Sequence, residues 1–190
     1  MPISRRPVNR GPAAAAANRA ALVDAARRLF TERGYRVPLH AIAQEAGVGQ
    51  GVLYRHFPAR LDLAIAAFED NFRDLEEAAS GDDAGALGRV WDLLVAQTLR
   101  EAAFVEMAVE ARRTHPVYDG DTRLERLVGQ TLPAARAAGL VDEATTVGDV
   151  LLAWRMVFGV VVTAATPEAA AADVARLEMP YVSRARGDVR

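Results

Sequence analysis

Residues 46–57 read AGVGQGVLYRHF, in which two glycine-bearing breaks are followed by room for barely two turns of helix before Pro58 stops the chain's winding. Upstream, Leu39, Ile42, Ala43 and Ala46 repeat the spacing of one buried helical face over two turns, and Pro38 sits where a first helical residue tolerates proline. A short helix, a glycine turn and a second short helix across residues 39–56 have the layout of a helix-turn-helix reader. Gly47 supplies the positive φ that ends the first helix, Val48 fills the corner, and Gly51 leaves room for another backbone to approach. At 100° per residue, Leu53 and Phe57 share one side of the second helix, while Gln50, Gly51, Tyr54 and Arg55 lie on the other. One face packs and the other is displayed. A major groove about 12 Å wide admits one such helix, end first.

Helical periodicity extends through the rest of the chain, with no strand signal and no internal repeat, so the fold class is all-α with about nine helices. Leu22, Ala25, Ala26, Leu29 and Phe30 mark a first helix, with Asn18 as its expected N-cap and Gly34 as its stop. Residues 1–17 combine Pro, Gly, Arg and a run of Ala, and are expected to form a flexible basic tail. A long helix is expected from near Arg60 to about Ala79, carrying Leu61, Ile65, Phe68, Phe72 and Leu75 on one side. Beyond it, Leu87, Trp91, Leu94 and Thr98 form one stripe and Phe104, Met107, Ala108 and Ala111 another. A loop at RTHPVYDG and a helix from about Thr122 to Ala138, closed by Gly139, come next. Thr146 and Asp149 have capping-box spacing and open DVLLAWRMVFGVVVTAA, a helix that is apolar nearly all round. Its apolar run of about 16 residues is short of the roughly 20 that a membrane span needs, and Arg155 interrupts it. Burial in a body or at a subunit interface is the reading that fits. The last helix is expected over about Pro167 to Leu177, with an arginine-bearing end that frays from Ser183.

Charge is divided unevenly. Residues 1–60 carry ten arginines against Asp24, Glu32 and Glu45, a balance of +7, while the remainder balances at -9. A basic head on an acidic body is the pattern of a polyanion-binding module joined to something else. The chain has no cysteine, which excludes disulfides, thiolate catalysis and cysteine-ligated metals. His115 and Glu110 have no second histidine or carboxylate placed by spacing to work with, so neither a catalytic nor a metal site is expected, and no cofactor. Nothing resembles a signal peptide, and a cytoplasmic protein is expected.

The phrases LFTERG and IAQEAGVGQGVLYRHFPAR resemble the TetR family of transcriptional regulators, whose pattern runs LFxxxG and then IAxxAGVxxGxLYxHFxxK. The resemblance is close over about residues 18–72. It implies a three-helix DNA-binding head at residues 18–62 and a ligand-binding and dimerisation body at 63–190. It also implies a homodimer on a palindromic operator, its last two long helices packing against their copies. Position by position, it implies that Gln50, Gly51 and Arg55 face base edges while Tyr54 and His56 meet the phosphate backbone. His40 lies where family members often reach bases or phosphate, and a solvated side chain is the equal alternative. Arg60 stands where the family usually has a phosphate-contacting lysine. By side-chain chemistry alone, Gln pairs bidentately with adenine and Arg with guanine, while Tyr and Arg donate to phosphate. The arginines at positions 5, 6 and 10 are either solvated or in reach of the duplex.

Three departures matter. Val52 replaces a hydroxyl residue that normally donates to phosphate, though its methyls suit a thymine methyl. Gly49 replaces a capping residue, at a cost on the order of a few tenths of a kcal/mol. The GYRVPL loop is one residue shorter than the commonest family form.

In the body, Phe72, Trp91, Met107, Tyr118 and Trp154 are the candidate lining of a cavity for a small apolar ligand, or else plain core. Arg155 must find a partner or water: an acid across a dimer interface, or a ligand's carboxylate. The expected function is a repressor released from its operator by that ligand. The alternative is a ligand-independent helix-turn-helix DNA-binding protein, and a helical-bundle enzyme with an incidental basic head is the more remote rival.

Overall fold

The computed structural model describes residues 11–81 and 83–177. Within them lie ten helical segments: α1 Pro12–Arg33, α2 Leu39–Glu45, α3 Gln50–His56, α4 Arg60–Ala67, α5 Glu69–Ala78, α6 Ala86–Arg100, α7 Ala102–Thr114, α8 Gly120–Ala137, α9 Val147–Thr163 and α10 Pro167–Arg176. No strand occurs among the described residues. The chain divides into two compact units, one ending at Ala67 and the other beginning at Phe68, five residues beyond the boundary expected at 62.

The first unit is built on α1. Leu22, Ala25, Ala26, Leu29 and Phe30 are buried, as the periodicity predicts, and α1 packs on α2, α3 and α4. Its start differs from expectation. The helix begins at Pro12 with Gly11 as N-cap, so residues 12–17 are helical rather than a tail, and Asn18 lies inside the helix instead of capping it. Alanine has the strongest intrinsic helix preference and proline suits the first helical turn, so the run PAAAAA extends the helix without needing a buried face. Residues 1–10, with the arginines at 5, 6 and 10, lie outside the described residues.

The long helix expected from Arg60 to Ala79 is interrupted at Phe68, whose φ of -101° and ψ of 9° are not helical. Counting α4 and α5 as one interrupted helix gives the expected nine. Glu69 and Asp70 fill the first turn of α5, where acidic side chains complement the positive end of the helix dipole. The Phe68 ring packs edge-on against Phe104 at 5.5 Å between centroids.

The second unit is organised around α6, which packs on α5, α7, α8, α9 and α10. Leu87, Val90, Trp91 and Leu94 of α6 join Phe104, Met107 and Ala108 of α7 in the core. Trp154 of α9 reaches the same core, where its indole N–H donates to Thr98 Oγ1 at 3.1 Å. Arg123 joins α8 to α5 through ion pairs with Glu69 at 2.9 Å and Glu76 at 3.0 Å, its guanidinium lying 4.4 Å above the Phe72 ring. The capping box forms as expected: Asp149 N–H donates to Thr146 Oγ1 at 3.2 Å, and Thr146 N–H donates to Asp149 Oδ2 at 2.8 Å. No helix among the described residues is long and apolar enough to cross a membrane. The arginine-bearing end from residue 183 lies outside the described residues.

Candidate nucleic-acid interface

The turn between α2 and α3 is set by local hydrogen bonding. Gly47 takes φ +67°, its N–H donates to the Gln44 carbonyl at 3.0 Å, and the Val48 N–H donates to the Ala43 carbonyl at 2.9 Å. This is a Schellman closure, which satisfies the last carbonyls of α2 and turns the chain sharply. Pro38 serves as the N-cap of α2 rather than its first helical residue, its carbonyl accepting from Ala41 at 3.0 Å.

Helix α3 is anchored from behind and open in front. Leu53 and Phe57 are buried to 1% and 2% relative exposure, whereas Tyr54 is 52% exposed. Gln50, Gly51 and Arg55 are exposed with it, His56 and Val52 are half-buried, and His40 is exposed on α2. An exposed tyrosine offers both an aromatic face and a hydroxyl to whatever meets this side of α3. Gly51 adds a second sign of the same kind. Beyond its chain neighbours and the backbone of its own helix, no atom stands within 4 Å of where its Cβ would be, so packing within the chain does not require glycine there. Helix α3 has no side-chain cap at Gly49, as expected, and the Arg55 Nε donates back to the Gly51 carbonyl at 3.1 Å.

Arg60, for which the family resemblance implies a phosphate contact, makes contacts within the chain. One guanidinium nitrogen, Nη1, donates to the carbonyls of Tyr35, at 2.9 Å, and Val37, and the group lies 5.8 Å from the Tyr35 ring centroid. The start of α4 is thereby tied to the loop that delivers α2, and the charge points at the chain's own carbonyls. Two further arginines brace the head in ways that spacing alone does not reveal. Arg28 of α1 pairs with Glu45 of α2 at 3.0 Å, and the Arg19 guanidinium lies 5.1 Å from the centroid of the Phe57 ring.

Among the described residues of the second unit, an inner and an outer cavity share a wall. The inner one, about 10 Å³, is lined by Phe72, Tyr118 and Trp154 among others, and has room for a single water at most. The outer one is an open cleft of about 320 Å³ between α8 and α9 with the end of α7. Trp91 and Met107, candidates for a cavity lining or else plain core, face neither cavity and are core at 5% and 1% exposure. The dividing wall contains Arg112, Asp121, Leu124 and Trp154. Arg112 makes a bidentate pair with Asp121, Nη2 to Oδ1 at 2.6 Å and Nε to Oδ2 at 2.7 Å, which raises its pKa above the ordinary arginine value. The guanidinium also lies 5.4 Å from the Trp154 ring. Tyr118 fills the inner site, and burial pushes its hydroxyl up to about 12. A side chain at Gly120 would collide with Tyr118 and come within 3.0 Å of Phe72. Among the described residues no group of three or more His, Cys, Asp or Glu is arranged to hold a metal ion.

Comparison with known proteins places these features in context. Residues 22–67 match the family model described as bacterial regulatory proteins, tetR family. HTH-type transcriptional regulators of Staphylococcus aureus, from strains USA300 and COL, are 38% identical over 60 residues, and the match spans only 31% of their length and 31% of this chain. Among solved structures, a TetR transcriptional regulator from Streptomyces coelicolor is 28% identical with a TM-score of 0.56, covering 83% of this chain and 92% of that one. A gamma-butyrolactone receptor described as ArpA-like is 26% identical with a TM-score of 0.53, over 78% of this chain and 80% of its own. A TetR regulatory protein from Mycobacterium vanbaalenii is 28% identical with a TM-score of 0.52, over 77% and 96%.

Proposed function

The chain belongs to the TetR family of transcriptional regulators, and from that premise we propose that it is a cytoplasmic, homodimeric repressor released from a palindromic operator by a small, largely apolar ligand. The observation that carries the DNA-binding part is the displayed face of α3, where Tyr54 is 52% exposed directly beside the buried Leu53 and Phe57. In this reading Gln50, Gly51 and Arg55 meet base edges, Tyr54 and His56 meet the backbone, His40 reaches a base or phosphate, and Val52 touches a thymine methyl. Arg60 contributes by holding the α2 loop rather than by gripping phosphate. Members of this family are regulators, and no catalytic role is assigned.

Dimerisation is supported by α9. Leu152, Met156 and Val162 are exposed at 50%, 50% and 58%, a cluster of large apolar side chains that costs free energy in water and suits a second copy of the same helix. Two copies of α3 would then read half-sites about one helical turn of DNA, roughly 34 Å, apart. A ligand held better by a dimer state of low operator affinity shifts the population toward release. The similarity to a gamma-butyrolactone receptor supports ligand response. The inner cavity of about 10 Å³ favours the second reading, a ligand-independent binder, whereas the cleft of about 320 Å³ favours the first.

The test is Tyr54→Ala in a gel-shift titration. The variant is expected to keep its helical content and to lose at least about tenfold in operator affinity, the worth of one good contact. Unchanged affinity would refute the assigned face of α3.

A further inference from the structure

The outer cleft has a chemistry of its own, and a ligand assigned to it rests on the ligand-responsive reading of the second unit. On α9, Leu151 and Arg155 recur at helical spacing and form one wall, with the Trp154 ring beside them at the base. Asp121 and Glu125, one turn apart on α8, form the other wall, and Arg112 closes the inner end. Of the two cations, Arg112 is already neutralised by its bidentate pair with Asp121. Arg155, the only charged side chain of α9 after Asp149, is exposed and makes no hydrogen bond or ion pair with any described residue. It lies at the cleft edge of the α9 strip that also carries Leu152 and Met156. A cation presented over an aromatic and aliphatic floor matches one kind of molecule: an apolar body ending in a single carboxylate. The guanidinium fork pairs both carboxylate oxygens, and the indole and Leu151 remove the body from water.

We propose that the cleft binds a small amphipathic carboxylic acid, with Arg155 as the residue that selects its ionised end. Glu125 faces the same cleft and opposes an anion, so it sets an orientation in which the carboxylate lies along the α9 wall. The volume, near the lower end of what ligand sites occupy, limits the molecule to small size. A neutral lactone or amide of the same body would lack the charged pairing, and an amine would be repelled by Arg155.

The test uses the full-length protein and three probes of one body: 4-phenylbutyrate, 4-phenylbutyramide and 4-phenylbutylamine, each titrated by calorimetry at pH 7. The carboxylate is expected to bind at least about tenfold more tightly than the other two, consistent with one charge-assisted pair. Arg155→Gln is expected to remove that preference while leaving the amide's affinity unchanged, and Glu125→Gln to strengthen carboxylate binding several-fold. Equal binding of all three probes, stronger binding of the amide or amine, or no binding of any of them overturns the inference. So does an Arg155→Gln variant whose altered property is dimer dissociation, with carboxylate affinity intact; Arg155 would then belong to the subunit interface. The underlying reading fails in a different measurement. If 4-phenylbutyrate binds through Arg155 but leaves operator affinity unchanged in the same buffer, the site stands and ligand-controlled release does not.

Discussion

Arg60 offers the sharpest separation between a structural and a DNA-contacting role. Its Nη1 donates to the carbonyls of Tyr35, at 2.9 Å, and Val37, and its guanidinium lies 5.8 Å from the Tyr35 ring. A hydrogen bond from a charged donor contributes about 1.5–3 kcal/mol, and a partly exposed cation–aromatic contact about 0.5 kcal/mol. Water replaces some of this once the side chain is removed, because the loop is not deeply buried, so Arg60→Ala should cost about 2 kcal/mol locally. That energy corresponds to roughly a 30-fold larger open population of the elements the arginine holds. Native-state hydrogen exchange is the direct assay: amides of α2 and of its turn, Ala46 to Val48, should lose about that factor in protection, while those of α8 should not change. A salt titration of operator binding provides the contrast. Each phosphate neutralised contributes about 0.9 to the slope of log affinity against log salt, and a purely structural role predicts that the slope of Arg60→Ala equals that of the parent. A slope lower by about 0.9 with unchanged exchange in α2 would contradict a structural role and assign Arg60 to phosphate.

Gly47→Ala forces a Cβ into φ +67° and should destabilise the α2–α3 turn by about 1–2 kcal/mol, seen as a lower unfolding midpoint and weaker DNA binding together. Met156→Glu, placed amid exposed apolar side chains of α9, should shift the protein toward monomer in sedimentation experiments at micromolar concentration. The hydrogen bonds from the Thr146 hydroxyl and backbone hold the Asp149 carboxyl below the ordinary aspartate value of 3.8. A folded-state pKa below the unfolded one means that its stabilisation is present above pH 3.8 and is lost as the pH falls through the folded value. Asp149→Asn should therefore flatten the acid limb of the stability curve below that pH, as read by urea midpoints.

The parts of the fold that are legible in the sequence are those decided locally. Gly47 with Val48, the Leu53 and Phe57 pair behind Tyr54, and the Thr146–Asp149 box each depend on residues within a turn or two, and spacing alone identifies them. The start of α1 escapes that kind of reading because PAAAAA forms helix by intrinsic preference, without the apolar period that marks a buried face. The interruption at Phe68 escapes it for the opposite reason. The helical period of Leu61, Phe68, Phe72 and Leu75 continues across it, and only Glu69 with Asp70 signals a fresh start. In the body, aromatic residues at helical spacing do not reveal which of them line a cavity. Phe72, Tyr118 and Trp154 do, while Trp91 and Met107 do not, because that is settled by how five helices pack around α6. Sequence position assigns Arg60 to phosphate, and its two carbonyl partners, 23 and 25 residues earlier, are invisible to any local pattern.

The regulatory function proposed for this protein depends on α3 entering a major groove twice, once from each protomer. Selection of bound duplexes from a random pool by the purified full-length protein, without added ligand and at modest salt, tests this most directly. The predicted result is a palindromic consensus with half-site centres about 10 base pairs, or a multiple of that, apart. Recovery of duplexes with no common sequence, or of a single unrepeated half-site from a dimeric protein, would contradict it.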